Sequence, residues 1–344
     1  MRSTFLFFLS TLFAFAQFDA FSDPAGEGNE ASQSALVSEV KSVSPGQTFA
    51  VALALSHPEG WHSYYLNSGG IEDSPTIQWK LPAGFTAGAI QWPVPHISDP
   101  AFQMDEANPE KSYTYAKDEA FLITEITVPA NTSLIGTTIT IEANATWQIC
   151  KESCKPEKGR FRLELPVTAK SEPDATHAAA FASARARHPK PTDVTFQAVK
   201  NGASLQFRID GAKQWEQVHF IADQNMIVPL AAMSAKQDGD ALVIDLKTRK
   251  ELFNGVETGA AKALSGILVY QEAGATRAVT VPETAITKAP APPLPWGEFF
   301  PVLFGMFLGG LILNLMPCVF PVIGIKILGF VQQSGQDKRK IILH

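Results

Sequence analysis

The residues of this sequence best suited to chemistry are its three cysteines. Cys150 and Cys154 lie four residues apart, in a segment that reads Trp-Gln-Ile-Cys-Lys-Glu-Ser-Cys-Lys-Pro. Cys318 stands alone, between Pro317 and Pro321, in a strongly apolar stretch near the C-terminal end. Thiolates attack disulfides and bind soft metals, and paired thiols form structural bridges. Redox exchange, a structural disulfide and metal binding are therefore the uses to weigh.

The spacing of the first two cysteines limits how they can meet. In one extended strand the Cα atoms of Cys150 and Cys154 would be roughly 13 Å apart, whereas a disulfide requires about 4.4–6.8 Å. The pair can form a bridge only if residues 151–153 turn. The flanking segments Thr137–Trp147 and Arg160–Val167 have the composition of strands, so a β-hairpin with the cysteines at its turn is plausible.

Three uses of this pair stay open on the residues alone. A bridge across so short a loop would stabilise the fold by only about 2 kcal/mol, while an accessible bridge in a turn suits thiol exchange. Lys151 and Lys155 would favour a thiolate, although Glu152 and Glu157 oppose them. Two thiolates without a nearby histidine form an incomplete tetrahedral site, so Cu(I) is the most compatible metal.

Cys318 has two interpretations. A lone cysteine in a membrane helix commonly serves as a small apolar side chain. Pro317 and Pro321 disrupt helical hydrogen bonding, however, and lipid tolerates such breaks where the backbone is buried in protein or lines a cavity. Asn314 adds a polar side chain one turn earlier, and nearby glycines would let other helices approach closely. The segment therefore has the features of a helix that packs against further helices.

Aromatic residues elsewhere could cover the cysteine pair. Trp61, His62, Tyr64 and Tyr65 are predicted to pack in the core and its loops rather than to shield the thiols. The segment Phe102–Glu106 is the alternative candidate for a shield.

The elements that must position the cysteine pair are strands. Across residues 35–170, short apolar segments alternate with Pro/Gly turns and show no sustained helical period, which predicts an antiparallel β-sandwich. The alanine-rich residues 171–191 predict a short linking helix. Residues 192–287 repeat the strand pattern and predict a second sandwich. The proline-rich residues 288–298 predict a stiff spacer.

The N-terminal end carries an export signal. Arg2, an apolar core and a small-x-small site ending at Ala16 predict a cleaved signal peptide over residues 1–16. The polar residues 17–34 predict a disordered leader. The domains that follow would then work where cysteines oxidise unless something keeps them reduced.

The C-terminal end carries a membrane signal. The run Phe299–Val331 is 33 residues long and contains one charge, Lys326. A membrane helix needs about 20 apolar residues, so this run predicts a transmembrane α-helical segment. Trp296 lies at the expected interface position, and the cations in residues 332–344 favour a cytoplasmic tail.

Composition argues against other classes of protein. The formal net charge is −6, with no basic run before the last seven residues, so no nucleic-acid partner is predicted. Three cysteines in 344 residues do not make a disulfide-dense secreted scaffold. No cofactor and no resident metal are predicted.

Taken together, three blocks of residues resemble the DsbD/ScsB group of membrane thiol:disulfide interchange proteins. The exported part is similar in Gly60-Trp-His-Ser-Tyr-Tyr, Pro75-Thr-Ile-Gln-Trp and Leu81-Pro-Ala-Gly-Phe. Cys150-Lys-Glu-Ser-Cys-Lys-Pro resembles that domain's redox pair in the ScsB-like branch. Gly309-Gly-Leu-Ile-Leu-Asn-Leu-Met-Pro-Cys-Val-Phe-Pro resembles the first helix of the membrane core.

The resemblance implies a fold and an activity. In that family an immunoglobulin-like exported domain passes electrons to oxidised partners, and a thioredoxin-like domain relays them from a membrane core supplied by cytoplasmic thioredoxin. It implies that Cys150 and Cys154 are the exported redox pair and that Cys318 is one of two membrane cysteines. It also implies the periplasmic side of a bacterial inner membrane and a link to cytochrome c maturation. The expected chain is mainly β, with two immunoglobulin-like sandwiches followed by a transmembrane segment.

The sequence departs from the family pattern near its end. His344 follows a single membrane segment, so the rest of the core, the second membrane cysteine and the relay domain are expected in a longer gene product or a second polypeptide. A different class of function is a membrane-anchored binding module that docks a partner protein or holds Cu(I) and carries a structural disulfide. A third treats both sandwiches as adhesion domains.

Overall fold

Strands dominate the described chain, as the alternation of short apolar segments and turns predicts. The computed structural model describes residues 32–100, 110–201, 204–212, 215–230, 233–251, 255, 257, 262–289, 296–314, 324–328 and 331. The predicted signal peptide, most of the leader, the segment Phe102–Glu106, Cys318 and the cytoplasmic tail lie outside these residues.

The first β block pairs its strands antiparallel. Their bounds are β1 Gln33–Ser38, β2 Val40–Ser42, β3 Thr48–Ser56, β4 Ser63–Tyr64, β5 Thr76–Lys80, β6 Thr86–Gln91, β7 His96–Ser98, β8 Ser112–Tyr115, β9 Ala120–Thr127, β10 Thr138–Cys150, β11 Cys154–Pro166 and β12 Glu172–Pro173. They form the sheets β1-β3-β9-β6, β11-β10-β5 and β4-β8-β7, together with the short pair β12-β2. The buried apolar cluster between these sheets is the core of the block.

The linking helix predicted from the alanine-rich segment is present and packs on this block. Strand β3 is buried on both faces: Val51 belongs to the core between the sheets, whereas Ala50 and Ala52 contact the helix α1, Ala178–Ala186. Phe181 of α1 is fully buried there. Burial of a phenylalanine side chain stabilises the docked helix by roughly 2–3 kcal/mol, so α1 is part of the folded block rather than a free connector.

The second β block is one continuous sheet. Its strands are β13 Thr195–Asn201, β14 Ser204–Asp210, β15 Glu216–Ala222, β16 Ser234–Asp238, β17 Ala241–Leu246, β18 Ala263–Glu272 and β19 Ala275–Lys288, in the order β15-β18-β19-β13-β14-β17-β16. The parallel pair β13–β19 joins its two antiparallel halves. Phe207 on β14 stacks on Phe220 on β15 with ring centroids 4.8 Å apart. Because other strands separate β14 from β15, the sheet must curl around its own core. A second sandwich was predicted, and the two layers are the two halves of this sheet.

The two β blocks share buried surface. Ile221, Ile267 and Val269 of the second block lie in the same apolar cluster as Trp61 and Tyr65 of the first. Both blocks accordingly fall within one compact unit that ends at Ala289. The sequence suggested two modules joined by a linker, whereas the described chain has a common core across the junction.

Polar contacts also fix the junction between the blocks. The Tyr113 hydroxyl is hydrogen-bonded to His219 Nε2 at 3.0 Å. Asn67 Nδ2 donates to the carbonyl of Ala222 at 2.7 Å. Gly69 adopts a φ of +86°, and a Cβ there would lie 2.5 Å from the carbonyl oxygen of Lys111. The backbone at Gly69 therefore depends on glycine for both its conformation and its close approach.

Arg249 is a charged residue that crosses this junction. Its Nη1 donates to Glu110 Oε2 at 2.7 Å and its Nη2 donates to the carbonyl of Gly69 at 2.6 Å. The Arg249 side chain is 17% exposed and that of Glu110 is 30% exposed, so solvent screens this ion pair less than a surface pair.

Replacing Arg249 with alanine is expected to lower the free energy of unfolding by about 2–3 kcal/mol, because hydrogen bonds between charged, partly buried partners are lost. The measurement is urea unfolding followed by fluorescence. Arg208→Ala is the matched control, since Arg208 pairs with Asp210 and Asp238 within the second block and Asp238 is 68% exposed. That variant should lose at most about 1 kcal/mol. Equal losses would mean that Arg249 does not hold the junction.

A second compact unit begins at Pro290. It contains the helix α2, Trp296–Asn314, which includes Pro301. Large apolar side chains of this helix are exposed, among them Phe300, Phe304 and Met306. Among the residues described by the structure, no helix has both the length and the apolarity of a membrane span.

Candidate functional site

The cysteine pair lies at the tip of a long β-hairpin. Strands β10 and β11 pair antiparallel along their whole length, and Cys150 and Cys154 form the last pair of the register. A disulfide joins them, with the Cα atoms 4.1 Å apart. The turn that the spacing required is therefore formed by residues 151–153. The Lys151 amide donates to the carbonyl of Ser153 at 3.2 Å within it.

The two sulfur-bearing residues differ sharply in exposure. Cys150 is fully buried, at 0% exposure, whereas Cys154 is exposed. The difference follows from the hairpin, because Cys150 ends a strand that has neighbours on both sides while Cys154 begins the edge strand β11. A thiolate approaching from solvent can therefore reach Cys154 more readily than Cys150.

His62 lies directly beside Cys150. The His62 amide donates to the Cys150 carbonyl at 3.1 Å, and the Cys150 amide donates to the His62 carbonyl at 2.9 Å. In such an antiparallel pair the opposed side chains share a face, with Cβ atoms about 4.5–5.5 Å apart. His62, Cys150 and Cys154 thus stand side by side across three neighbouring chain segments.

The His62 imidazole is held by an adjacent tyrosine. Its Nε2 is hydrogen-bonded to the Tyr64 hydroxyl at 3.2 Å, and the two rings meet edge to face. Burial lowers the pKa of His62. Burial, with a smaller contribution from the Glu72 carboxylate, raises the pKa of Tyr64 above its ordinary value. At neutral pH the tyrosine is therefore protonated and the imidazole is neutral. Tyr64 O–H donates to Nε2 when the imidazole proton resides on Nδ1, and the hydroxyl oxygen accepts when that proton resides on Nε2.

Two lysines border the disulfide. Lys155 Nζ lies 4.7 Å from the centre of the Trp61 ring, over its face. A Cβ built on Gly60 would lie 3.2 Å from Cε of Lys151, so this side chain runs along the backbone beside Trp61. Cations near a sulfur favour its thiolate form.

Side chains outside the turn brace the hairpin. Trp147 Nε1 donates to Glu157 Oε2 at 2.5 Å, and the Ser32 amide donates to the other oxygen of that carboxylate at 3.0 Å. The Asp73 amide donates to Gln148 Oε1 at 2.8 Å. These hydrogen bonds connect the hairpin to the start of the block and to the loop after Tyr65. They therefore restrain the end of the hairpin that carries the disulfide.

Part of the predicted site lies within the described residues. Cys150 and Cys154 are together as the hairpin hypothesis required, and Cys318 falls outside the residues that the structure describes. Trp61, Tyr64 and Tyr65 are buried, so the prediction that they pack in the core is confirmed. The sequence did not predict that His62 lies beside Cys150. No local pattern indicates the pairing of two residues that are 88 positions apart in sequence. The described residues contain no group of three or more His, Cys, Asp or Glu side chains placed to hold a metal ion.

Comparison with protein families places the cysteine hairpin in a known context. Residues 32–166 match the family described as thiol:disulfide interchange protein DsbD, N-terminal. This region contains β1 to β11 and therefore the whole disulfide hairpin. A search of curated proteins found no match.

Solved structures support the fold. The crystal structure of the N-terminal periplasmic domain of ScsB from Proteus mirabilis matches with a TM-score of 0.52 and 16% sequence identity, over 78% of this chain and 97% of that chain. At this identity the match is evidence for the fold. The tandem Ig repeats of Dlar match at a TM-score of 0.18 and 9% identity, over 75% of this chain and 98% of that one. A C-terminal domain of the BspA polypeptide of Streptococcus agalactiae matches at a TM-score of 0.17 and 8% identity, over 75% of this chain and 100% of that one. The last two scores are too low to support an argument.

Proposed function

We propose that this chain, whose residues 32–166 match the family of DsbD N-terminal regions, is a protein-disulfide reductase component that works through Cys150 and Cys154. One observation carries the proposal. The disulfide lies at the tip of a braced hairpin, with one sulfur-bearing residue fully buried and the other exposed. This arrangement suits stepwise thiol–disulfide exchange, because one cysteine attacks the partner and the other later resolves the mixed disulfide.

The exchange then has a defined order. The Cys154 thiolate attacks one sulfur of a target disulfide and expels the other target sulfur as a thiolate, which leaves a mixed disulfide. The Cys150 thiolate attacks Cys154 Sγ, forms the Cys150–Cys154 bond and expels the remaining target thiolate. Two electrons pass to the target, and the pair becomes oxidised as the structure has it.

The electron supply is part of the proposal. Exported disulfide-containing proteins would be the targets, and a thioredoxin-like relay domain would reduce the pair again. Cytoplasmic thioredoxin would provide the electrons through a membrane core to which Cys318 contributes, and cytochrome c maturation is the proposed pathway. The resemblance of the Cys318 segment to the family's first membrane helix supports this arrangement.

The proposed location follows from the same argument. The two β blocks would lie on the periplasmic side of a bacterial inner membrane, residues 299–331 would span it, and residues 332–344 would be cytoplasmic. The apolar composition of residues 299–331 and the exposed apolar side chains of α2 support a membrane segment.

A redox titration tests the proposed function. In a Cys318→Ser chain the pair Cys150/Cys154 is the only source of thiols, because the sequence has three cysteines. Against dithiol buffers this chain is expected to show a reversible two-electron couple between about −180 and −270 mV, the range of exchange proteins. The matched control, which also carries Cys150→Ser, should show no such couple. A bridge that stays oxidised below about −300 mV would be a structural staple and would reject the proposal.

A further inference from the structure

The buried position of Cys150 creates a problem that the exchange mechanism must solve. When a dithiol reductant opens the disulfide, its thiolate bonds to Cys154 Sγ and the electron pair of the broken S–S bond stays on Cys150 Sγ. The new thiolate is therefore generated at a residue with 0% exposure. An unpaired charge in such a place is costly unless a neighbouring group donates a hydrogen bond to it or neutralises it.

Lysines are the obvious candidates, and the structure places two of them against the segment that leads into His62. Lys151 and Lys155 are in the turn and at the start of the edge strand, and Lys155 Nζ is engaged over the Trp61 ring at 4.7 Å. The Lys151 side chain lies against Gly60, with its Cε 3.2 Å from the position of a Cβ there. The side chain placed beside Cys150 by the sheet register is His62, which the backbone hydrogen bonds of 3.1 and 2.9 Å hold opposite it.

Resting on the function proposed above, we propose that Tyr64 O–H donates to His62 Nε2 and that the imidazole, with its proton on Nδ1, stabilises the Cys150 thiolate by donating a hydrogen bond to it. The Tyr64 hydroxyl is hydrogen-bonded to Nε2 at 3.2 Å, so Nδ1 is the ring nitrogen that this contact leaves for a second partner. Paired residues share a face at about 5 Å between Cβ atoms, a distance that an imidazole bridges. A hydrogen bond to a charged acceptor is among the stronger ones, and it forms when the thiolate appears.

Other titratable groups face this cluster and enter its pH behaviour. His57 lies near His62 and is hydrogen-bonded through Nε2 to Ser63 at 2.8 Å. The negative charge of the Glu72 carboxylate helps to raise the pKa of Tyr64. The two lysines flank the turn. Because burial keeps both histidines neutral at neutral pH, the donor is a neutral imidazole, and its effect should persist across the neutral range.

The test uses the full chain with Cys318→Ser and compares His62→Ala with His62→Asn. Asparagine keeps an N–H donor at the position of Nδ1, so it serves as the matched conservative variant. Opening of the disulfide by a dithiol is expected to be about tenfold slower in the alanine variant and within about threefold of the parent in the asparagine variant. Tyr64→Phe removes the hydroxyl that is hydrogen-bonded to His62 Nε2. The rate of disulfide opening in this variant should lie between those of the alanine and asparagine variants.

A second readout separates this role from a structural one. In the Cys154→Ser, Cys318→Ser background Cys150 is the only thiol, and thiolate absorbance reports its ionisation. His62→Ala should raise the midpoint of that titration by about one pH unit, a tenfold change in the ionisation constant, and His62→Asn should restore it. A loss of packing alone would lower the unfolding free energy and leave the midpoint unchanged.

The outcomes for the inference and for the proposed function are distinct. An unchanged Cys150 midpoint in His62→Ala overturns the inference, whatever the opening rate does. A shifted midpoint that asparagine restores supports it. A parent disulfide that resists dithiols at exchange potentials rejects the proposed function, and the Cys150 midpoint still decides the role of His62 by itself.

Discussion

A Cys150→Ser chain is expected to capture disulfide-containing partners as stable mixed disulfides, whereas a Cys154→Ser chain is not. The reason is the asymmetry of the hairpin tip, where the exposed Cys154 can meet a partner and the fully buried Cys150 cannot. With both variants made in the Cys318→Ser background, alkylation by iodoacetamide should be at least about 100-fold faster at Cys154 than at Cys150. A factor of that size corresponds to the roughly 3 kcal/mol needed to open a local packed region.

The control for this prediction is the same alkylation in denaturant, where the two thiols should react at comparable rates. Mass spectrometry of the folded variants after exposure to a disulfide-bonded test protein checks the capture directly. Comparable alkylation rates in the folded state would remove the asymmetry on which the order of exchange depends. Capture by the Cys154→Ser chain would assign the attacking role to Cys150.

The sequence predicted the hairpin because its determinants are local. The strand candidates on either side of the cysteines match β10 and β11 in position, although the observed strands extend to the cysteines themselves. The requirement that Cys150 and Cys154 approach within bonding distance added an independent constraint on the turn. The strand pattern and the distance that a disulfide requires both indicated a turn between the cysteines, and the predicted hairpin is confirmed.

Strand β8 was missed for a physical reason. Ser112–Tyr115 reads Ser-Tyr-Thr-Tyr and is buried at every position, and the hydroxyl of Thr114 is paired with that of Ser98 across strands at 2.8 Å. A strand buried on both faces loses the alternation that identifies strands in a sequence. Short polar segments of this kind are recognised only once their partners are known.

The junction between the β blocks could not be derived from the sequence. Arg249 reaches Gly69 across 180 residues, and Ile221 joins an apolar cluster whose other members lie mainly before residue 170. Nothing in the local pattern of either segment distinguishes an interface residue from a core residue of its own block. The same limit applied to His62, whose place beside Cys150 depends on long-range pairing.

Acidification from pH 7 towards pH 4.5 is expected to destabilise the unit formed by the two β blocks, through two buried histidines. Burial lowers the pKa of His57 to about 4, and the neighbouring His62 adds to this while Asp118 and Glu119 act against it. Burial, with a contribution from Lys111, lowers the pKa of His219 to about 4. Both side chains are hydrogen-bonded, His57 to Ser63 and His219 to Tyr113.

The sign follows from which state binds more protons. Between pH 6.5, the ordinary histidine value, and about pH 4, the unfolded chain protonates these histidines and the folded chain does not. The two neutral histidines therefore make their full contribution to the free energy of unfolding above pH 6.5. This contribution decreases as the pH falls and is lost near pH 4. A pKa difference of this size corresponds to about 3 kcal/mol for each histidine.

Urea unfolding at a series of pH values measures this slope, and His219→Gln isolates one of its sources. The variant is expected to lose stability at pH 7 through altered packing, yet to show a flatter dependence between pH 6.5 and 4.5, because one of the two groups no longer titrates. Tyr113→Phe is the matched control, since it removes the hydroxyl partner at the same junction and keeps the histidine. It should lower stability by about 1 kcal/mol at each pH and retain the parent slope. If His219→Gln kept the parent slope as well, the junction between the β blocks would not be the source of the acid sensitivity.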